Sequence, residues 1–346
     1  VKKTFALIVA VMMLIAVLAG CSSSKNSVEI TVYNWGEYID EEINDIFTEE
    51  TGIKVNYKTY ESNEEMYAKL KSGGSSFDVI IPSDYMIGRL IEEDMLEALD
   101  FTNIPNFEYI DERFRNMEYD PSNAYSVPYT WGTVGIVYNT TMVDKPVTSW
   151  DILWDEDYKD QILMFNNSRD AMGIALKRLG YSYNCVDEGQ LREAAELLRE
   201  QKNLVQAYVM DQIFTKMPGG EAAIAPYYAG DFLTMYDENE DLAFCIPEEG
   251  TNVFVDAMCI PKGCKHKSEA EQYINFITRP DIMARNIDFI CYSSPSSAAR
   301  ELTDEELAQS EYCYPPDEIL DRCEVYTNLP QEVLELYDKL WIEILK

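Results

Sequence analysis

Between Val28 and Pro82 the chain alternates extended and helical patterns in the order β-α-β-α-β, and this constrains the fold more than any other feature. Val28–Tyr33 is apolar and β-branched enough for a strand. Asp40 is placed to N-cap a helix running to about Glu50, which Gly52 stops. Ile53–Lys58 alternates as a second strand. Ser62-Asn63-Glu64-Glu65 is a capping box that opens a helix ending at Gly73-Gly74. Asp78-Val79-Ile80-Ile81-Pro82 reads as a short buried strand. Two consecutive crossovers of this kind imply a parallel sheet with right-handed connections. In open α/β sheets ligands gather at the carboxyl ends of the strands. The first strand delivers Tyr33-Asn34-Trp35-Gly36-Glu37-Tyr38 to that edge, and the third delivers Ser83-Asp84-Tyr85. Two aromatics around a carboxylate suit a cation, which is drawn by the ring quadrupole and by the negative charge. The alternative is that Trp35 and Tyr38 plug the core beneath a loop, and the hexapeptide alone does not choose.

From about Val143 the pattern changes. Thr148–Tyr158 is predicted as a tryptophan-rich helix, Gln161–Phe165 as a strand and Ser168–Leu179 as a helix. A further helix, Glu188–Gln201, follows Asp187. Ala222–Ala225 leads into Pro226-Tyr227-Tyr228-Ala229-Gly230-Asp231, another strand end carrying aromatics and an acid. Asn252–Ile260 is a strand containing Asp256, and Pro330–Leu345 is an amphipathic helix with Pro330 suited to its first turn.

The first twenty residues are expected to be a secretory signal. Val1-Lys2-Lys3 is basic, Phe5–Leu18 is apolar, and the run is shorter than the roughly 20 residues of a bilayer span. Leu18-Ala19-Gly20-Cys21 resembles a bacterial lipoprotein processing site. Cys21 would then carry the lipid, and residues 21–27 would be the lipidated cysteine and its polar tether. Lys and Arg total 28 against 62 Asp and Glu, a net charge of −34. Nucleic acid is excluded as a partner, since phosphate binding needs a basic face. The acidity itself serves either solubility or the concentration of small cations.

Eight cysteines include Cys21, leaving seven that cannot all pair within one chain. Most are expected to be buried as small hydrophobes, with one or two bridges left open, Cys313–Cys323 among the candidates. The only histidine is His266, and no C-x-x-C occurs. These facts argue against a zinc site and against histidine-base catalysis. No cofactor or metal is expected.

Across nearly all of the chain after the leader, the sequence resembles the bacterial spermidine/putrescine-binding proteins of ABC importers. The resemblance is densest at Tyr33–Tyr38, Thr51–Val55 and Thr59–Leu70. It continues at Pro82–Tyr85, Val127–Gly132, Val147–Trp150, Leu179–Ser182 and Ile274–Phe276. It implies an α/β protein of the two-lobed periplasmic-binding type II fold, with the ligand in a cleft between lobes joined by crossing strands. The first lobe would be 28–131 plus 257–301 and the second 135–254 plus 302–346. The crossings would lie near Trp131–Val134 and Phe254–Met258.

The resemblance also implies a ligand set. Trp35, Glu37 and Tyr38 match the aromatic–acid–aromatic corner, with Gly36 where a hydroxyl residue is common. Ser83 and Tyr85 match the second loop, and Asp170 an acid that grips an ammonium group. Tyr228 stands where a tryptophan packs on the aliphatic chain, and Asp231 follows at the spacing of putrescine-preferring members. Phe254 and Asp256 match an aromatic–x–acid pair, Tyr292 a closing tyrosine and Tyr326 a polar position near the C-terminus. Asn167 occupies a position that is acidic in the spermidine-preferring pattern. These residue types suit a polyamine: carboxylates replace the water stripped from each ammonium, and aromatic faces wall the methylenes and attract the charges. The implied role is a membrane-tethered, monomeric receptor delivering polyamine to an ABC permease at the outer face of the cytoplasmic membrane. The alternatives are a same-fold receptor for another solute and, from another class, an extracellular glycosidase working with two carboxylates.

Overall fold

The computed structural model describes residues 28–73 and 76–346, so the leader, Cys21, its tether and Gly74 lie outside the described residues. Among the described residues nine strands form one continuous sheet: β1 Glu29–Trp35, β2 Lys54–Tyr60, β3 Val79–Ile80, β4 Ser126–Asn139, β5 Ile162–Phe165, β6 Val205–Val209, β7 Ile224–Tyr228, β8 Leu242–Cys245 and β9 Val253–Cys259. The order is β2-β1-β3-β9-β4-β7-β5-β6, with β8 on β4. β1 pairs parallel with both β2 and β3, as the two crossovers require. β9 runs antiparallel to β3 and to β4.

The 14-residue strand β4 links the two halves. Its first part pairs with β9, from Ser126 opposite Cys259 to Thr133 opposite Val253. Its second part pairs with β7, from Val134 opposite Tyr228 to Tyr138 opposite Ile224. The partner therefore changes between Thr133 and Val134, and the hydrophobic cores divide at the same place.

Helices cover both faces of the first half: α1 Glu42–Thr51, α2 Asn63–Lys71 and α3 Asp84–Glu92. Strand alternation sorts the side chains. Ile30, Val32 and Val79 enter one core with Phe47, while Tyr33 and Ile80 enter the other with Met66. Each such fully buried side chain contributes roughly 1.5–3 kcal/mol. Gly52 ends α1 in the left-handed region, φ 76°, its N–H reaching the Thr48 carbonyl. The capping box is reached one residue early. Ser62 Oγ accepts the Glu65 N–H at 3.1 Å, but the Glu65 carboxylate returns to the N–H of Glu61 rather than of Ser62.

In the second half, α4 Ser168–Arg178 and α5 Glu188–Gln201 begin at Asn167 and Asp187, whose side chains accept backbone N–H groups of the first turn. α6 Ala229–Glu238 starts directly from β7. α7 Lys267–Ile277 and α8 Pro280–Ile290 return to the first core, and α9 Gln331–Leu345 closes the second, with Pro330 just before it. No described helix is long and apolar enough to cross a membrane.

Two expectations need correction. Thr148–Tyr158 is not an α-helix but two short 3-10 turns, Trp150–Trp154 and Glu156–Tyr158. Asp155 breaks it: its backbone is extended and its carboxylate caps Asp157 N–H, competing with helix continuation. Among the described residues all seven cysteines are free, so Cys313–Cys323 is not bridged, and only Cys185, Cys259 and Cys313 are buried. The segment after Leu302 packs against both cores. Leu307, Tyr314 and Leu320 lean on the first core, while the Tyr312 ring packs on Phe232 and Phe244 of the second.

Candidate ligand-binding cleft

The carboxyl ends of β1, β3 and β7 and the middle of β9 converge on one cavity, with about 700 Å3 of empty space when the open solvent at its mouth is included. Trp35 ends β1, and its indole N–H is satisfied by the Ile81 carbonyl at 2.9 Å, which leaves the ring as a wall. Tyr38 returns from the β1 loop and donates to Asp256 Oδ2 at 2.7 Å, with Thr130 Oγ1 on the same hydroxyl. Ser83 and Tyr85 open α3, where Asn63 Nδ2 donates to both hydroxyl oxygens at 3.1 Å. Rings line the wall in series: Tyr38 on Tyr292 at 4.8 Å, Tyr292 on Phe254 at 6.2 Å, and Phe254 on Tyr228 at 5.4 Å, all near edge-on. Gly230 is required there, since a Cβ would come within 2.2 Å of the Tyr292 ring.

Three buried aspartates face this space. Asp256 lies within β9 and is 3% exposed; its Oδ1 has no hydrogen-bond partner. Asp170, 6% exposed, sits in the first turn of α4, accepting from Tyr228 at 2.9 Å and Tyr326 at 3.3 Å. Asp231, 9% exposed, sits in the first turn of α6. Helix N-termini favour anions at the latter two. Burial works the other way: it pushes Asp256 and Asp170 up to about 6. Burial, with the charges of Asp211 and Glu37 adding to it, pushes Asp231 up to about 8.

Every residue of the expected ligand set lines this cavity except Glu37. Glu37 is exposed at the rim with a left-handed backbone, φ 48°, close enough for its charge to act on Asp231. Tyr326 and Asn167 also line it. Sequence reasoning missed Glu61 and Asp211 on the lining and gave no ligand role to the buried Arg169, whose guanidinium lies 4.6 Å from the Tyr326 ring and 5.4 Å from the Tyr85 ring. Asp211 had a readable signal, because it follows the alternating strand β6 as the other site acids follow theirs. Among the described residues no cluster of His, Cys, Asp and Glu is arranged to hold a metal ion. Acids flanked by aromatics give an arrangement that can hold a cation.

A family model of bacterial extracellular solute-binding proteins matches residues 75–322, and one described as a hypothetical lipoprotein of the MG045 family matches residues 1–115. The chain is 35% identical over 313 residues to a spermidine/putrescine-binding periplasmic protein of Salmonella typhimurium, covering 89% of this chain and 90% of that one. It is 28% identical over 346 residues to the putrescine-binding periplasmic protein SpuD of Pseudomonas aeruginosa, covering 94% of each. A solved structure, a putative spermidine/putrescine ABC transporter protein from Listeria monocytogenes, superposes with a TM-score of 0.89 at 40% identity, over 92% of this chain and 99% of that one. The two-lobed architecture and these similarities agree, and the chain belongs to the bacterial extracellular solute-binding proteins.

Proposed function

We propose that this protein is the polyamine receptor of an ABC importer, capturing putrescine or spermidine between its lobes and passing it to the permease. The observation that carries the reading is Asp256: a carboxylate buried among Tyr38, Phe254 and Tyr292, with one oxygen unpartnered, in a cavity that also holds Asp170 and Asp231. A buried carboxylate without a partner costs several kcal/mol, and an ammonium group supplies both charge and hydrogen bonds. Trp35, Tyr38, Tyr85, Tyr228, Phe254 and Tyr292 would wall the methylenes, Ser83 would support Asp256, and Glu37 would add charge at the rim. The lobes would divide at the β4 partner change, near Trp131–Val134, and again near Phe254–Met258. Lipidation of Cys21 would hold the monomer at the outer face of the cytoplasmic membrane.

The protein acts by binding and not by catalysis in this reading. Calorimetry on the signal-free protein with putrescine, cadaverine, spermidine and spermine tests it. One-to-one binding with the amine recovered unchanged is the expected outcome. No heat and no thermal shift with any of the four would sink it, and turnover of a chromogenic glycoside would favour the glycosidase.

A further inference from the structure

We propose that Cys291 and Cys313 are an oxidisable pair, and that their disulfide pins Tyr292 in the cleft wall and ties the first half of the molecule to a segment seated on the second. The bridge stands apart from the polyamine reading; its effect on affinity rests on that reading.

Both thiols are free in this structure, and they meet where the stretch after α8 runs beside residues 310–314. The Cys313 thiol donates to the Cys291 carbonyl at 3.2 Å, across 22 residues of chain. From the bond lengths of that carbonyl, the Cys313 sulfur lies within about 6 Å of the Cys291 Cα. Two neighbouring bonds fix the spacing of the segments. Ser293 Oγ donates to the Cys313 carbonyl at 2.5 Å, and the Tyr314 hydroxyl accepts the Ser294 N–H at 3.0 Å. The Cys291 thiol faces the Asp288 carbonyl at 3.9 Å, a distance that holds it weakly. A turn of that side chain brings the sulfurs together.

Cys313 is 2% exposed and Cys291 is partly open, so an incoming oxidant meets Cys291 first. The oxidant is a small-molecule or protein disulfide of the kind that persists outside the cell. The Cys291 thiolate attacks one of its sulfurs, forming a mixed disulfide and releasing one thiol. The Cys313 thiolate then displaces the second. The two cysteine protons end on the two released thiols, and two electrons pass from the cysteines to the oxidant. Burial pushes Cys291 up to about 11 and Cys313 up to about 12. Such thiols exchange slowly and gain nothing as thiolates when reduced, which favours a durable bridge over a catalytic one.

The bridge would act on the site through its neighbours. Tyr292 follows Cys291 directly, and Ser293 exchanges backbone hydrogen bonds with Trp131 of β4 at 3.1 and 3.3 Å. Tyr312, beside Cys313, packs on Phe232 and Phe244 of the second core. A covalent tie here limits how far Tyr292 can part from Gly230, against which its ring is seated. Ordering that wall beforehand lowers the cost of binding.

Oxidised glutathione, applied to the full chain without its leader, is the probe, read by non-reducing peptide mapping, melting curves and putrescine calorimetry. A linked Cys291–Cys313 peptide is expected. The melting temperature should rise by several degrees, reversibly with dithiothreitol and not at all in Cys291→Ser, a change at the partly open end that leaves the core intact. The oxidised protein should bind putrescine several-fold tighter than the reduced one. Thiols that all stay free, glutathione left on Cys291, a bridge between other cysteines, or a shift that survives in Cys291→Ser would each overturn the pair. A bridge with unchanged putrescine affinity overturns its effect on the cleft. No putrescine binding in either state overturns the polyamine reading, while the peptide map still decides the bridge.

Discussion

Strand β9 and the start of α4 each bring a buried aspartate to the same cavity, and they hold it in opposite ways. Asp256 has a single tyrosine hydroxyl on one oxygen and nothing on the other. Asp170 has a tyrosine on each oxygen, a helix N-terminus behind it and Arg169 beside it. Residue type and burial are alike, yet only Asp256 is left with an unmet need. What a carboxylate can offer a cation depends on what already satisfies it, and a guest gains most where the protein has left an acceptor unpaired.

The largest effect expected is at Asp256. Asp256→Asn should lose on the order of 2–5 kcal/mol of diamine binding, because a desolvated ammonium is left without its counter-charge. Calorimetry measures it, and affinity equal to wild type would remove Asp256 from the centre of the site. Asp170→Asn should lose less than Asp256→Asn; the reverse order would break the comparison.

Next comes pH. Asp256 and Asp170 are pushed up to about 6 and Asp231 to about 8, each by burial first. Raised acids stabilise the ligand-free fold most below their unfolded value near 4, and that contribution is lost as pH rises through 6 to 8. Ammonium binding wants the same groups ionised. Affinity should therefore rise between pH 5 and pH 8, by as much as about 1.4 kcal/mol per unit for each proton released. Titrations in buffers of different ionisation enthalpy count those protons. A flat profile with no proton release would show that the aspartates are already ionised in the free protein.

Tyr228→Phe probes the other arm. Removing its hydroxyl takes one partner from Asp170 at a cost of about 1 kcal/mol in stability, read as a lower melting temperature without ligand. The freed oxygen can then accept from a guest, so binding should fall less than stability does. Equal losses would mean that the hydroxyl also touches the ligand.

The two halves of the cleft also differ in how legible they were. β1, β3 and their helices follow local rules of alternation, capping and a stop glycine, and the strand-end rule led to Trp35, Tyr38, Ser83 and Tyr85. The tryptophan-rich segment misled because periodicity outweighed a local competitor, the extended Asp155 with its own cap. β4 was hidden for a different reason. Its continuity depends on exchanging β9 for β7 midway, a non-local event that no window of sequence contains. The hydroxyl network around Asp170 is likewise assembled from α4, β7 and a segment more than 150 residues further on. Composition marked the acids as candidates but could not reveal which of them the fold had already satisfied.

The smallest effect lies at Gly36, where the two halves meet most directly. Its place on the β1 loop leaves space that the Asp211 carboxylate enters from the far side. The atom in the way is the end of an exposed side chain, so Gly36→Ala should fold normally and rotate that carboxylate outward. The acid pole beside Asp231 would then lose one member, and Asp231 would ionise more readily with that charge moved away. These consequences oppose each other: a weaker field for the ammonium, but a more fully charged Asp231 to receive it. At neutral pH the net loss of diamine affinity should stay below about 1 kcal/mol, the scale of a partly exposed ion pair. At pH 5 Asp231 is protonated in each, so the compensating gain disappears and only the weaker field remains. A loss above that scale at neutral pH would instead make Asp211 a direct ammonium ligand, and Asp211→Asn would then reproduce it.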